Sequence, residues 1–327
     1  MQGMQRSVWR ASLGIAACCA MATEYASAQS YPAKPIKVLV GFAAGGATDV
    51  TARMLAPRLA AALGQPVVIE NRLGSGGAIA TEAVAKSAAD GYTLLLMPAA
   101  DAAQPAMRRK LPYDLERDFV PVSRIALGPW VLVVNTSVPA RTAQELFALA
   151  RAQPGKLNYA SSGIGSSAHI TTELIKSMAR IDLVHIPYKG VSDGVTATAI
   201  GQADMILASY PAAQPLLQLR KVRPLAVSIG RRWVIMPEVP TLDEAGLKGF
   251  DRSGWYGILT PAGTPREIVV RLNTVIGAIV NTPEMSEALR KQGLEPSTST
   301  PEEFGAFIRN EVAQNIGIAR AAGIVVE

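Results

Sequence analysis

Cysteine and histidine are nearly absent from this 327-residue sequence, which contains two of each. Cys18 and Cys19 both lie in an apolar segment near the amino terminus, so the rest of the chain has no disulfide, no thiol nucleophile and no thiolate metal site. His169 and His185 have no partner at the spacing of zinc ligands. We therefore expect neither a metal site nor a cofactor.

The sequence also lacks the motifs of nucleic-acid binding and of hydrolysis. Its net charge of +6 is spread along the chain, and no run of Lys and Arg is interleaved with aromatic residues, so nucleic acid is not an expected partner. No Gly-x-Ser-x-Gly elbow is present. Hydrolysis by Ser166 with His169 stays open, although residues three apart at one helix start are poorly placed for a catalytic triad. The favoured interpretation is that the protein is not an enzyme.

The first 28 residues have the order of a secretory signal peptide. Arg6 and Arg10 precede the apolar segment 11–22, which is too short to span a bilayer, and Ala26-Ser27-Ala28 supplies a small-x-small cleavage site. We expect export to the periplasm with cleavage after Ala28. The alternative is a lipoprotein anchored at Cys18, because the three residues before it resemble a lipobox.

Short apolar strands alternate with helices in the rest of the chain. Strands are predicted near residues 37–42, 67–70, 92–97, 131–134, 157–160, 183–186, 203–207, 224–228 and 255–259. Helices are predicted near residues 48–63, 79–87, 142–152, 195–200, 265–280, 283–292 and 301–321, with a further helix ending near 179. This alternation is typical of an α/β fold whose parallel sheets are covered on both faces.

The chain exceeds the size at which a single core stops growing, which predicts two lobes. We predict two doubly wound α/β lobes joined by a two-segment hinge. Lobe 1 is formed by residues 29–128 and 252–327, and lobe 2 by residues 129–251. Two crossing segments allow the lobes to close around a ligand.

Two loops rich in glycine and serine, at residues 41–49 and 159–169, each follow a predicted strand and precede a helix. Glycine lets backbone N–H groups approach a ligand, and a helix start presents unpaired donors with positive partial charge. Ligands of doubly wound sheets bind at the carboxyl ends of strands, where both loops lie. One loop per lobe would hold a carboxylate across the cleft. The alternative is that the glycines form tight turns and Thr48 caps a helix.

Both loops contain partial nucleotide-binding motifs. Residues 41–48 have the spacing of a phosphate-binding loop, but Ala47 stands where the lysine is required, which excludes a nucleoside triphosphate site. Residues 163–168 fit the dinucleotide pattern Gly-x-Gly-x-x-Ala, with Asp182 as the candidate ribose ligand. Asp182 precedes the next predicted strand, whereas the acid that binds the ribose belongs at the far end of that strand. A nicotinamide-dependent enzyme is therefore less favoured than a carboxylate-binding protein.

A series of further motifs resembles one known family, the substrate-binding receptors of tripartite tricarboxylate transporters, also called Bug-type receptors. The matching segments run in family order across nearly the whole chain after the signal segment. They are FAAGGATD (42–49), LGQPVVIENR (63–72), DGYTLL (90–95), LPYD (111–114), YAS (159–161) with Gly165, Ser166 and His169, HIPYKG (185–190), GQAD (201–204), VPT (239–241) and PAGTP (261–265).

The resemblance implies a type II periplasmic binding-protein fold and a monomer that captures a small organic carboxylate, either a di- or tricarboxylate or an aromatic acid. Delivery would be to a pair of membrane permease proteins, or, as an alternative, the liganded form would signal to a sensor kinase. The implied ligand-binding residues are Phe42, Gly45, Gly46, Thr48, Asp49, Ala99, Ala100, Ser161, Ser162, Gly165, Ser166, His169 and Asp204.

The sequence departs from the family pattern at several positions that bear on the ligand. Ala44 and Asp193 replace common prolines, Ala197 replaces an acid, and residues 205–208 lack the usual Phe-Asp. The loss of an acid at Ala208 removes a partner for an amino group. We therefore expect a plain carboxylate as ligand in preference to an amino acid.

Overall fold

A computed structural model describes residues 31–42, 44–108 and 110–324. The predicted signal peptide, its cleavage site after Ala28 and the alternative lipid site at Cys18 all lie outside these residues. Residues 34–324 belong to one unit of the chain.

The strands of this unit form a ten-stranded sheet. Their bounds are β1 (Ile36–Val40), β2 (Val67–Asn71), β3 (Thr93–Pro98), β4 (Phe119–Asn135), β5 (Asn158–Ser161), β6 (Val184–Pro187), β7 (Met205–Ser209), β8 (Val222–Val227), β9 (Ser253–Pro261) and β10 (Glu295–Pro296). The helices in the described residues are α1 (Ala47–Leu63), α2 (Ala78–Ala85), α3 (Ala99–Met107), α4 (Ala143–Ala152), α5 (Ser167–Ala179), α6 (Val191–Ala199), α7 (Tyr210–Gln218), α8 (Arg266–Val280), α9 (Pro283–Lys291) and α10 (Pro301–Ala321).

Strand β4 belongs to both parts of the sheet. Its first part pairs with β9 and β10, and its last residues pair with β7 and β8. On one side of β4, β9 leads to the parallel strands β3, β1 and β2, and on the other β7 leads to the parallel strands β5 and β6. The carboxyl ends of β1, β3, β5 and β6 are each followed by a loop or helix that lines one cavity, and the last residue of β7, Ser209, lines it as well.

The core covers the sheet on both faces, as near-continuous apolar strands require. In β4, Leu132 and Val134 pack into one cluster with α4 and α5, while Val131 and Val133 pack into another with Trp233 and α6. Strand β3 is buried along almost its whole length. The edge strand β2 is only half-buried.

Four elements differ from the sequence-based expectation, among them the two-residue strand β10, which was not predicted. Strand β4 begins at Phe119, because pairing with the distant β9 continues the strand through Pro121 and a register shift that interrupt its apolar pattern. Helices α3 and α7 were not predicted. Each contains an internal proline, at Pro105 and Pro215, which argues against a helix in a sequence pattern. Neither helix start has a side-chain cap hydrogen bond, although α7 does have Ser209 at its N-cap and Pro211 in its first turn.

A buried ion pair docks the carboxyl-terminal helix α10 onto the sheet. Arg252 is 6% exposed and lies directly before β9, and its guanidinium is 3.1 Å from the Glu311 carboxylate. The other oxygen of Glu311 accepts a hydrogen bond of 3.3 Å from Trp255 Nε1. Asn315 accepts from Arg252 and donates to the carbonyl of Ala102 in α3. One network thus holds α10, β9 and α3 together.

We predict that Glu311→Ala lowers the free energy of unfolding by about 3–5 kcal/mol, because it leaves the buried Arg252 without its counter-charge. Urea unfolding of the variant and of the wild type measures the difference. The double variant Arg252→Met/Glu311→Leu should recover most of the loss.

The matched control is Glu287→Ala, which breaks the exposed pair between Glu287 and Lys291. It should change stability far less, because water already solvates both charges. Equal effects of Glu311→Ala and Glu287→Ala would contradict this account of the ion pair.

Candidate functional site

A cavity of about 660 Å³ lies at the carboxyl ends of the parallel strands. Four helices contribute their first residues to its wall, and Ser209 lies directly before a fifth, α7. These residues are Ala47 and Thr48 of α1, Ala99 and Ala100 of α3, Ser167 and Ala168 of α5, and Val191 of α6. Helix starts carry unpaired N–H groups and positive partial charge, so the cavity wall favours an anion.

Asp49 fixes the shape of the first loop from below. Its carboxylate is 1% exposed and accepts hydrogen bonds from the Gly45 amide at 2.8 Å, Arg53 Nε at 2.8 Å and Asn71 Nδ2 at 2.9 Å. The Arg53 hydrogen bond is the main cause that lowers the pKa of Asp49 to about 2. Asn71 also donates to the carbonyl of Phe42. Asp49 is therefore a positioning residue of the loop.

His169 fixes the shape of the second loop in the same way. It is 6% exposed, and its Nδ1 accepts a hydrogen bond of 3.0 Å from the Gly165 amide. Its own amide donates to Ser166 Oγ, which caps α5. In this geometry His169 braces the loop, and its Nδ1 is not available as a base. The Gly165 amide is already used within the loop.

His169 stacks on His185, with ring centroids 4.0 Å apart and planes 11° from parallel. His185 stacks in turn on Tyr159, and its Nε2 lies 2.6 Å from Ser161 Oγ. Burial lowers the pKa of His169, and burial followed by the charge of His169 lowers the pKa of His185 to about 4. Both imidazoles are therefore neutral near neutral pH, and a proton on His169 Nδ1 would remove its bond to Gly165.

The sequence-predicted residues fall into two groups. Those that line the cavity are Phe42, Thr48, Ala99, Ala100, Ser162, Gly165 and Ser166, while Gly45 lines an adjoining cavity of about 180 Å³. Those that lie behind these walls or elsewhere are Gly46, Asp49, Ser161, His169 and Asp204. Both predicted loops therefore border one cavity.

Asp204 is placed at the opposite end of the sheet from the cavity. It precedes β7, whose last residue, Ser209, lines the cavity wall. Its carboxylate accepts from the Asn158 amide at 2.8 Å, and its amide donates to Asn158 Oδ1 at 2.9 Å. This placement ties β7 to β5 and does not support ligand contact. Asp182 likewise precedes β6, which removes support from the dinucleotide reading.

Several cavity residues were missed by sequence reasoning. Gln104, Met107 and Arg108 lie on or next to α3, which was not predicted, and Ser209 precedes α7, also not predicted. Met107 packs closely on the second loop, since a β-carbon at Gly165 would lie 2.4 Å from its sulfur. Trp255 and Tyr256 also line the cavity, although Trp255 is fully buried.

The cavity lining is rich in hydroxyl groups and contains no Asp or Glu among the described residues. The side-chain hydroxyls of five lining residues have no hydrogen-bond partner within the described part of the chain, namely Thr48, Ser162, Ser167, Ser209 and Tyr256. Burial raises the pKa of Tyr256 to about 12, so its phenol is a neutral donor. Arg108 and Lys189 are the cations of this lining.

Neither a metal centre nor a membrane span is found in the described residues. No three side chains of His, Cys, Asp or Glu in this part of the chain are grouped as metal ligands would be. None of its helices combines the length and apolar character needed to cross a bilayer.

Comparison with known proteins gives one consistent result. The family model described as "Tripartite tricarboxylate transporter family receptor" matches residues 51–324. Protein BugT of Bordetella pertussis is 38% identical over 299 residues, which cover 91% of this chain and 92% of BugT.

Solved structures agree with the sequence comparison. R. palustris Rpa4515 with adipate is 36% identical, with a TM-score of 0.79 over 91% of this chain and 100% of that one. The periplasmic binding protein BugD is 30% identical, with a TM-score of 0.75 over the same shares of the two chains. The predicted periplasmic binding-protein fold is confirmed.

We predict that stability falls as the pH is lowered from about 7 to about 5. The unfolded histidines take up protons near pH 6.5, whereas the folded ones, with lowered pKa values, do not. The loss in the free energy of unfolding should be on the order of 1 kcal/mol. This is smaller than the lowered pKa of a fully buried imidazole would give, because His185 is only half-buried. Urea unfolding at several pH values measures it.

The variant His185→Gln keeps a polar group near Ser161 but cannot titrate, so it should reduce this pH dependence. A wild-type stability that is constant or rises toward acid over the same range would contradict the assignment of two neutral, stacked imidazoles.

Proposed function

This chain belongs to the tripartite tricarboxylate transporter receptor family, a family of solute-binding receptors, and from that premise we propose that it captures a small organic carboxylate in its cavity and delivers it to the membrane permease pair of a tripartite transporter. The observation that carries the proposal is the cavity wall, which combines helix starts and unpartnered hydroxyls with no acidic side chain among the described residues. Such a wall offers hydrogen-bond donors to a carboxylate.

The absence of an acidic side chain from the lining also bears on which acids are bound. An amino acid would bring an ammonium group that needs a carboxylate or several acceptors. Ala208, where the family has an acid, packs in the core and is not part of the lining, so the expectation drawn from that position lacks support. The preference for a plain carboxylate rests instead on the lining itself. The relative Rpa4515 was solved with adipate.

Two lobes that close on the ligand are part of the proposal. Gly128 and Gly254 are paired where β4 and β9 run side by side, next to the predicted lobe boundaries. The parallel strands β1 to β3 lie on one side of this point and β5 to β7 on the other. Two adjacent strands with glycine at the same level bend with little side-chain displacement.

We propose a binding function without catalysis. Ser161 and His185 have the spacing of a nucleophile and its base, but Ser161 is fully buried and does not line the cavity. No carboxylate hydrogen-bonds to His185 in the described residues, so nothing orients it as a base. His169 Nδ1 is occupied by the Gly165 amide.

A thermal-shift screen of organic acids on the purified protein tests the proposal. Some plain carboxylates should raise the melting temperature by mass action, and aspartate and glutamate should not. Titration calorimetry then gives the dissociation constant. Failure of every carboxylate to bind would refute the proposed function.

The variant Thr48→Val links such binding to the cavity wall. It keeps the side-chain shape but removes one unpartnered hydroxyl, and it should weaken a bound carboxylate roughly tenfold. Thr136→Val, at an exposed position outside the lining, is the matched control and should leave affinity unchanged.

Export to the periplasm is proposed from the order of residues 1–28. Mass spectrometry of the protein from a periplasmic extract should give a chain that begins at Gln29. The variant Cys18→Ser should leave this product unchanged, whereas a lipid-modified amino terminus at Cys18 would support the lipoprotein alternative.

A further inference from the structure

Arg108 is a charged group in the cavity wall without a charged partner. It is half-buried, follows the last residue of α3, and donates from Nη2 to the carbonyl of Ser75 at 3.2 Å. Within the described residues, no carboxylate forms an ion pair with it. A guanidinium has five N–H donors in a planar fork, so most of its capacity is not used by the Ser75 contact.

The surroundings of Arg108 do not neutralise its charge. Asp101, on the same helix, is 1% exposed and forms no ion pair with Arg108, and burial raises the pKa of its carboxyl well above the ordinary value. The lining itself contains no acidic side chain in the described residues. An anion that enters the cavity therefore meets an unopposed guanidinium.

Arg108 and the start of α3 lie at opposite ends of one helix along the same wall. Ala99 and Ala100 begin α3, and Arg108 follows nine residues later, a rise of about 13 Å at helical spacing. The wall thus presents backbone amides at one end and a guanidinium at the other. Apolar side chains line the space as well, including Phe42, Trp130 and Leu207.

This arrangement suits a ligand with two acidic ends and a carbon chain between them. We propose that Arg108 binds the second carboxylate of a dicarboxylate whose first carboxylate is held by the helix starts, and so selects diacids over monoacids of equal length. The inference rests on the proposed function and assigns one specificity-determining residue to it. Arginine fits this role because its fork binds a carboxylate through two parallel hydrogen bonds.

Lys189 is less suited to the same role. It is the other cation of the lining, but it is exposed and lies on the loop between β6 and α6. An ammonium group is strongly hydrated and gives no planar pair of donors, so an exposed lysine contributes less to selection.

Calorimetric titration with matched pairs of acids tests the proposal. The pairs are succinate and butanoate, adipate and hexanoate, and suberate and octanoate, which differ only by the second carboxylate. The wild type should bind the diacid at least about tenfold more tightly in one or more pairs. Arg108→Gln should remove that preference while it leaves monoacid affinity within about twofold.

Two control variants separate a specific contact from general charge. Lys110→Gln removes the same charge from an exposed residue outside the lining and should leave every affinity unchanged. Arg108→Lys keeps the charge without the planar fork and should retain part of the preference. Unchanged melting temperatures of the unliganded variants show that the fold is intact.

The titrations distinguish failure of the role proposed for Arg108 from failure of the proposed function. Equal loss of diacids and monoacids in Arg108→Gln, or a wild type that binds monoacids as tightly as diacids, would overturn the role of Arg108 and leave the proposed function standing. A wild type that binds none of the six acids would also overturn the role of Arg108, whereas only the failure of every carboxylate in the thermal-shift screen would refute the proposed function itself.

Discussion

Several helices begin at the wall of one cavity, and the rest of the structure depends on this constraint. Unpaired N–H groups at a helix start are a cost if buried and a binding site if they face a common cavity. The parallel strands β1, β3, β5 and β6 create this convergence, because each delivers the chain to the edge of its sheet that borders the cavity. The positive partial charge along the cavity wall therefore follows from topology before any side chain is considered.

Side chains outside the cavity keep this arrangement in place. Asp49 and His169 sit at corresponding positions beneath the two loops, and each binds a loop amide, that of Gly45 or Gly165. The buried pair of Arg252 and Glu311 connects α10 to the wall through Trp255. Asp49 satisfies the Gly45 amide, His169 satisfies the Gly165 amide, and Glu311 compensates the buried charge of Arg252. The loops therefore stay ordered without using the helix-start donors that face the cavity.

Much of this was accessible from sequence, and the failures have physical causes. The two loops could be located because glycine and serine follow short apolar strands, and Thr48 does line the cavity. Helix α3 could not, because it is short, contains Pro105 and has no side-chain cap, and Arg108 was missed with it. The first part of β4 is specified by pairing with β9, more than a hundred residues away, which local patterns do not contain. Asp204 directly precedes β7, whereas the cavity lies at the carboxyl end of that strand, and a motif match does not indicate at which end of a strand a residue lies.

The use of backbone amides at the cavity has a consequence for how such receptors diverge in evolution. A point mutation to any residue except proline replaces a side chain and leaves the N–H of a helix start in place, so this set of donors is inherited with the fold. Positions such as Gln104 and Arg108, at the far end of α3, are exchangeable by single substitutions. A duplicated copy of this gene can therefore drift toward a new acid while its first anchor stays intact, which fits relatives that share a fold at 30–38% identity.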